Sequence, residues 1–333
     1  MQRKQLVLVK LTRHIVSRSD LEALAEHVRA RAPEIDVVVT SRHRADQWRL
    51  LPRAFRPTLT VVFGRLRKRL WVHGQVLDCP RFPKHVELEK LRAAGVAVPD
   101  FVLIEPGTRL DPAVWGPYVV VKPTLGARGA EVRIRRTTRV RFEPPEGFAP
   151  GHPIHRGPLL AQRFVYTGPW AVCYRVCTFF GRALYCWRVE QSHAKRRLDS
   201  RWKFGGSAGG GGVQIIAPSL TSTYSLVDDT ELIAAAERAH RLAFPDYPYL
   251  GFDLVRDAET GEVSVLEANT GGNVLHLSST MGSSIQREHG LDFHRQLGAL
   301  DRAAERLIEI TRRRARVAPL SQSFGAARIA RAG

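Results

Sequence analysis

The sequence has 333 residues, 44% of them hydrophobic and 25% charged, which is an ordinary balance for a soluble globular protein. No apolar run approaches the ~18 residues that a membrane-spanning helix requires, and the apolar stretch near the N-terminus is too short for a signal peptide. The composition therefore excludes a membrane-embedded or disordered chain. We expect a cytoplasmic protein with a sizeable core and no membrane partner.

The net charge is +19, and only eight of the 51 basic residues are lysine. The charge is spread along the chain and is not gathered in one tail. It therefore favours an anionic small-molecule or peptide substrate over a nucleic-acid partner. Because lysine is scarce here, a lysine inside an apolar strand is an informative position. The oligomeric state stays open, with a homodimer among the alternatives.

The four cysteines do not predict a metal site. Cys173 and Cys177 form a C-x₃-C pair, but Cys79 and Cys186 do not supply a second pair at ligand spacing. We expect buried or reduced thiols on strands.

The first 80 residues predict a small α/β domain. An apolar strand at residues 5–9 precedes a helix that opens at Ser19–Asp20, and two further strands are expected at 36–40 and 59–63. This order of elements is typical of an α/β domain. The region has no G-x-G-x-x-G sequence, so it lacks a dinucleotide-binding fingerprint.

A second unit is predicted over residues 81–158. Its amphipathic helix ends at Gly95, and the strand YVVVKP follows with a glycine-bearing turn and another strand. The Pro- and Gly-rich stretch 141–157 is expected to be a loop.

A third unit is predicted over residues 159–315, and residues 316–333 are expected to form a mobile basic tail. The expected elements are a strand at 158–166, two strands that turn at Gly181–Arg182, a helix at 229–243, a hairpin at 249–269 that turns at Thr260–Gly261, and a helix at 293–315.

The hairpin carries the first chemical signal. Glu267 and Asn269 are two residues apart on one strand, so their side chains share a face. Asp253 interrupts the apolar partner strand YLGFDLV, and cross-strand neighbours lie within ~5 Å of each other. Two carboxylates and an amide oxygen at one spot suit Mg²⁺, with Mn²⁺ as the alternative.

Lys122 is the second signal, because it ends the apolar strand YVVVK. A lysine in this position either extends to water or holds a phosphate. Gly126 and Gly129 follow in a turn whose backbone N–H groups can approach phosphate oxygens closely. The turn is not a Walker loop, since it lacks G-K-[ST].

The order of these motifs over residues 84–310 resembles the ATP-grasp superfamily, and its RimK-type amino-acid ligases in particular. The resemblance implies an α/β (α+β) chain in which a small N-terminal α/β domain precedes two antiparallel-sheet subdomains that clamp ATP. In that pattern Lys122 binds the α- and β-phosphates, and Asp253, Glu267 and Asn269 hold two Mg²⁺ ions. The strand LLAQRFV supplies the adenine contacts, which here would come from Gln162, Arg163, Phe164 and Val165.

The resemblance assigns further cations to the nucleotide. Lys84 matches a lysine at the entry to the central subdomain, although a solvated lysine at the start of a helix is an equal alternative. Arg175 matches an arginine that faces the reacting phosphate, and Arg188 is a second candidate for that role. Arg201 and Lys203 match a basic loop that covers the triphosphate.

Two departures limit what the resemblance implies. Cys173 stands where the pattern has an acid, so the ribose contact is unassigned. NTGGNVLHLSS replaces the proline-bearing loop that follows the metal strand and shapes the acceptor site. The implied activity is an ATP- and Mg²⁺-dependent ligase that activates a carboxylate as an acyl phosphate and couples it to an amine. The alternatives are an ATP-grasp kinase for a small molecule and a non-catalytic nucleotide- or nucleic-acid-binding protein.

Overall fold

A computed structural model describes residues 3–11, 16–41, 43, 46, 50, 55–64, 74–126, 131–191, 222–270, 275 and 277–317. Within these ranges no helix has the length and apolar character needed to span a bilayer.

The described strands form three sheets. They are β1 (Lys4–Lys10), β2 (Ile35–Ser41), β3 (Thr58–Phe63), β4 (Gln75–Leu77), β5 (Phe101–Leu103), β6 (Tyr118–Pro123), β7 (Arg133–Arg136), β8 (Leu159–Arg163), β9 (Val172–Phe179), β10 (Arg182–Glu190), β11 (Thr223–Leu226), β12 (Tyr249–Arg256) and β13 (Val263–Asn269). The described α-helices are α1 (Arg18–Arg31), α2 (Lys84–Ala93), α3 (Pro112–Trp115), α4 (Thr230–Ala243), α5 (Thr280–His289) and α6 (Ala299–Arg314).

The N-terminal sheet is parallel, with strand order β2-β1-β3-β4. β1 is buried on both faces, which is why it reads as an unbroken apolar run. Leu24 and Val28 of α1 are fully buried in the core on one face of this sheet. The helix begins at Arg18, earlier than Ser19–Asp20 suggested, because the Ser17 hydroxyl accepts the Asp20 N–H and caps it.

The central sheet is antiparallel, with strand order β5-β8-β6-β7. Its outer face has a small apolar core of its own that includes Val119, Val121 and Ala161. Lys122 and Gln162 belong to the other face, because their strand positions alternate with those core residues. The stretch 141–157 contains only short 3₁₀ turns, as expected of a loop.

The C-terminal sheet is also antiparallel, with strand order β11-β10-β9-β12-β13. α4 packs on one face of it through Ala236, Ala239 and His240. The His240 ring is fully buried between the Thr178 hydroxyl and the Tyr247 carbonyl, at 2.7 and 2.8 Å. Burial lowers the pKa of His240 to about 4. The expected α/β chain, in which a small N-terminal α/β domain precedes two antiparallel sheets, is therefore confirmed, and the structure adds that the N-terminal sheet is parallel.

An aromatic junction joins the N-terminal and C-terminal sheets. Phe63, at the end of β3, stacks on Tyr249 and Phe179 with ring centroids 5.4 and 6.2 Å apart. The Tyr249 hydroxyl accepts the Gly64 N–H at 2.8 Å and donates to the Val62 carbonyl. One continuous core runs through this junction.

Three further details differ from the expectations. α5 occupies 280–289, where no separate helix was expected, and α6 begins at Ala299 and not near 293. Arg316, expected in the tail, pairs with Thr58. The four cysteines are free, and all but the partly exposed Cys173 are buried, as expected.

Candidate active site

A row of three charged side chains crosses the C-terminal sheet. In strand register, Asp253 on β12 lies directly opposite Arg175 on β9 and Glu267 on β13, so the three side chains share one face. Arg175 donates two hydrogen bonds to Asp253, from Nε to Oδ1 and from Nη2 to Oδ2, each of 2.7 Å. Burial opposes the charge on Arg175, but Asp253 outweighs it and raises the pKa of the guanidinium.

Asn269 completes this row. Its Nδ2 donates to Asp253 Oδ2 at 2.8 Å, which leaves the amide oxygen of Asn269 available to another partner. The structure therefore brings together the three residues predicted as metal ligands. The antiparallel pairing of β12 with β13 places Asp253 opposite Glu267, and the register shifts directly after this pair, between Asp253 and Leu254.

Lys84 reaches the row from α2. Its ammonium lies 2.6 Å from Glu267 Oε1, and its backbone N–H donates to the Thr124 carbonyl at the end of β6. Only 11% of the Lys84 side chain is exposed, so it is not the solvated lysine that was one alternative. Burial opposes ionisation of Glu267, but Lys84 and Lys122 outweigh that effect and lower the pKa of Glu267.

Lys122 approaches from the central sheet. Its ammonium donates to the Leu266 carbonyl at 3.4 Å, so it crosses from the central to the C-terminal sheet. Burial lowers the pKa of Lys122 to about 8, although the Glu267 carboxylate acts against that shift. Lys122 is therefore a buried lysine beside a second lysine and two acids and not an exposed strand end, and a perturbed pKa in such a cluster is typical of functional sites.

Sequence analysis missed Glu87, which belongs to the same charge cluster. It lies three residues after Lys84 on α2, on the same side of the helix, and is only 5% exposed. Burial and then the charge of Glu267 raise the pKa of Glu87 well above its ordinary value, against the pull of Lys84 and Lys122. The i, i+3 spacing from Lys84 is common on surface helices, so it did not single Glu87 out.

The donor set fits a hard divalent cation. Asp253 and Glu267 offer carboxylate oxygens and Asn269 an amide oxygen, which are the ligand types that Mg²⁺ binds. Among the described residues no group of three or more His, Cys, Asp and Glu side chains is arranged to hold a metal. The predicted trio has only two such side chains, so phosphate oxygens or water would have to complete the coordination of an ion held there.

Arg188 is not brought to this cluster. It lies opposite Tyr174, one position out of phase with Arg175, so its side chain leaves from the other face of the sheet. There it forms an ion pair with Glu190.

The predicted adenine strand is shorter than expected, because β8 ends at Arg163. Gln162 shares its face with Lys122, is only 1% exposed, and its Nε2 has no hydrogen-bond partner in the described part of the chain. A buried amide of this kind is available to a ligand. Arg163 is half exposed near Asp100, while Phe164 and Val165 follow the strand.

The predicted glycine turn is described only in part. A Cβ at Gly126 would lie 3.8 Å from the Pro123 Cβ, an ordinary contact, so nothing steric requires glycine there. Gly129, Arg201 and Lys203 lie outside the described residues.

Cys173 faces the same side as Arg175, two residues before it, and burial raises the pKa of its thiol, so it cannot replace the missing acid as an anion.

Comparison with known proteins gave structural neighbours only. The chain is similar to D-cycloserine synthetase DcsG, with 18% identity, 90% of this chain and 99% of that chain covered, and a TM-score of 0.48. It is also similar to the D-alanine–D-alanine ligase of Bacillus anthracis complexed with ATP, with 14% identity, coverage of 93% and 99%, and a TM-score of 0.44. A RimK domain ATP-grasp protein of Sphaerobacter thermophilus has 14% identity, coverage of 90% and 98%, and a TM-score of 0.42. No family model and no curated protein matches the chain.

Proposed function

We propose that this chain is an ATP-grasp ligase that uses ATP and Mg²⁺ to activate a carboxylate as an acyl phosphate and couples it to an amine, releasing ADP and phosphate. One observation carries the proposal. Lys84, Lys122 and Arg175 come from α2 and two different sheets and converge on one cluster: Lys84 and Arg175 pair with Glu267 and Asp253, and Lys122 donates to the Leu266 carbonyl next to Glu267.

The balance of charge in this cluster suits a magnesium nucleotide. Without a ligand, the cations and carboxylates neutralise each other, because an unpaired buried charge is costly. A triphosphate can replace the carboxylates as partners of the cations, which frees Asp253 and Glu267 as metal ligands. When bound, Mg²⁺ would neutralise the charge that develops on the transferring phosphoryl group.

Each cation has a distinct place in the proposed reaction. Lys122, on the inner face of the central sheet, binds the α- and β-phosphates, and Lys84 extends that contact. Arg175 lies beside Asp253 on the opposite sheet and stabilises the phosphoryl group as it moves to the substrate carboxylate. A planar guanidinium suits this role because it donates two parallel hydrogen bonds.

The enclosure of the cluster supports an acyl phosphate intermediate. Lys84 and Lys122 are buried, and Glu267 is partly covered. An acyl phosphate is lost to hydrolysis if water enters, so a site between two sheets protects it until the amine attacks the carbonyl carbon. The amine nitrogen forms the amide bond, and phosphate leaves with the carbon–oxygen bond electrons.

Product analysis tests the proposal. ADP release is measured with MgATP against a panel of amino acids and acidic peptides, and the mass of each product is determined. An amide product that requires both an acid and an amine supports the ligase. A stable phosphorylated product without an amine would indicate a kinase, and absence of ATP turnover with every substrate mixture would count against an enzyme.

Glu267→Gln tests the metal assignment. We expect ATP turnover to fall by on the order of 100-fold or more, because the variant removes one of two carboxylates that bind the ion. The matched control is Glu262→Gln, the same change at an exposed position of the same hairpin. Circular dichroism checks that both variants fold. Near-normal turnover in folded Glu267→Gln would overturn the assignment.

A further inference from the structure

The outermost strand of the central sheet has an open edge. β7 is the last strand in the order β5-β8-β6-β7, and within the described ranges no strand pairs with its other side. An edge strand presents unpaired N–H and C=O groups to solvent, which is a template for another extended chain.

The hydrogen-bond phase shows which groups of β7 point outward. The Thr137 N–H donates to the Pro117 carbonyl, so residues 133, 135 and 137 face β6. The backbone of β6 shows the same alternation. The Thr124 N–H donates to the Pro158 carbonyl, so the even-numbered residues of β6 bond to β8 and the odd-numbered residues bond to β7. The N–H groups of Ile134 and Arg136 therefore point away from the sheet.

This edge is strongly basic. Residues 132–142 contain five arginines and no acidic residue. Arg133 and Arg135 form surface ion pairs with Glu131 and Glu143, of 2.8 and 3.5 Å, which are weak enough to exchange. The remaining three, Arg136, Arg139 and Arg141, are exposed.

We propose that the edge of β7, with the arginines at 133–141, is a docking site for an acidic peptide segment that binds as an added strand. Outward backbone groups recur every second residue, ~6.8 Å apart, which matches the repeat of an extended peptide. Acidic side chains on that peptide then meet the arginines. A second copy of the same edge is disfavoured, since like charges would face each other.

The site differs from the nucleotide cluster in both residues and chemistry. It uses backbone groups and exposed guanidinium groups of the central sheet, and none of Lys122, Arg175 or the carboxylates. Its test therefore needs no ATP turnover, and the outcome is independent of the proposed ligase activity.

The probe is a fluorescein-labelled ten-residue peptide of alternating Glu and Thr, and binding to the full chain is measured by anisotropy. Arg136→Ala removes only the side chain, and Arg136→Pro also removes the outward N–H. Proline is compatible here because Arg136 already has φ −60°, and its N–H does not bond to β6. Thermal unfolding checks that the two variants are equally stable.

We expect Arg136→Ala to weaken peptide binding roughly threefold, and Arg136→Pro to weaken it about tenfold further, as one lost backbone hydrogen bond. Arg139→Glu with Arg141→Glu should weaken binding by at least about tenfold through charge reversal. Arg295→Ala, at a position 88% exposed in the third unit, is the control and should bind like the wild type.

Equal affinities for Arg136→Pro and Arg136→Ala would overturn the strand-addition proposal, because binding would then depend on charge alone. Failure of the wild type to bind the peptide at low salt would also overturn it. A ten-nucleotide oligothymidylate that binds as tightly, and whose affinity is insensitive to the proline, would indicate a nucleic-acid surface instead.

Discussion

The ion pair between Arg175 and Asp253 offers a direct test of how the site is held together. Its two 2.7 Å hydrogen bonds join side chains that are only 14% and 20% exposed. Arg175→Met preserves the approximate volume and removes the charge, which leaves Asp253 with the Asn269 amide as its remaining side-chain donor among the described residues. Breaking one half of a buried pair costs about 3–5 kcal/mol. Because both groups retain some solvent contact, we expect the lower part of this range.

A double-mutant cycle separates this cost from a loss of packing. Asp253→Asn alone leaves the Arg175 guanidinium unpaired, whereas the double variant removes both charges. The double variant should therefore be more stable than the sum of the single changes predicts, with a coupling energy of about 2–3 kcal/mol. The measurement is the free energy of unfolding in urea for the four proteins. Additive changes within about 0.5 kcal/mol would refute the assignment of this pair as a coupled buried unit.

Magnesium extends the same experiment to function. If Asp253 binds the ion, added Mg²⁺ should recover part of the stability lost in Arg175→Met, because the ion neutralises the unpaired carboxylate in place of the guanidinium. The double variant lacks that carboxylate and should show a smaller response. An equal response in the two variants would indicate that Mg²⁺ binds elsewhere.

Three further outcomes are expected. Because the pKa of Lys122 is about 8, its charge is lost as the pH rises through 8, and the affinity for ATP should fall across that range. Lys122→Met should bind ATP weakly at every pH and should not show this fall in affinity near pH 8. The pKa of His240 is about 4 in the folded protein and 6.5 in the unfolded chain, so the unfolded chain takes up this proton at higher pH than the folded protein does. The free energy of unfolding should therefore fall by up to ~3 kcal/mol as the pH is lowered from 6.5 to 4. His240→Gln should reduce this pH dependence, as measured by urea titrations. Tyr249→Phe strands the Gly64 N–H and should cost about 1–3 kcal/mol of unfolding free energy, with Tyr174→Phe, on a half-buried tyrosine of β9, as the comparison.

The shared position of Asp253, Glu267 and Asn269 could be predicted from the sequence because strand periodicity acts over short distances. Glu267 and Asn269 are two residues apart, and Asp253 lies across one hairpin, so the face that they share follows from a period of two. The importance of Lys122 could be predicted for another reason. An ammonium group at the end of an apolar strand is costly to bury without a counter-charge.

The rest of the cluster depends on tertiary packing that no local pattern encodes. Glu87 resembles any charged residue of a surface helix until α2 is placed against β13. Arg188 was grouped with Arg175 by the type of residue and its neighbouring strand, but register, which is set by a shift between Ala183 and Tyr185, places it on the opposite face. α5 was missed because Gly282 and two serines weaken its helix propensity.

The separate core of the central sheet has a dynamic consequence. Val119, Val121 and Ala161 pack with neighbours of their own unit, while the main core runs through the other two sheets and takes one fully buried side chain, Leu160, from the described strands of the central sheet. Exchange of amide protons in β6 and β8 should therefore proceed through an opening of lower free energy than global unfolding. The contact between the Lys122 ammonium and the Leu266 carbonyl is one link between the central and the C-terminal sheets. The proposed nucleotide would break this contact, because its phosphates would take the place of the carbonyl as partners of Lys122. Binding of the proposed nucleotide would thus change how often the central sheet opens, in addition to occupying the site between Lys122 and the C-terminal sheet.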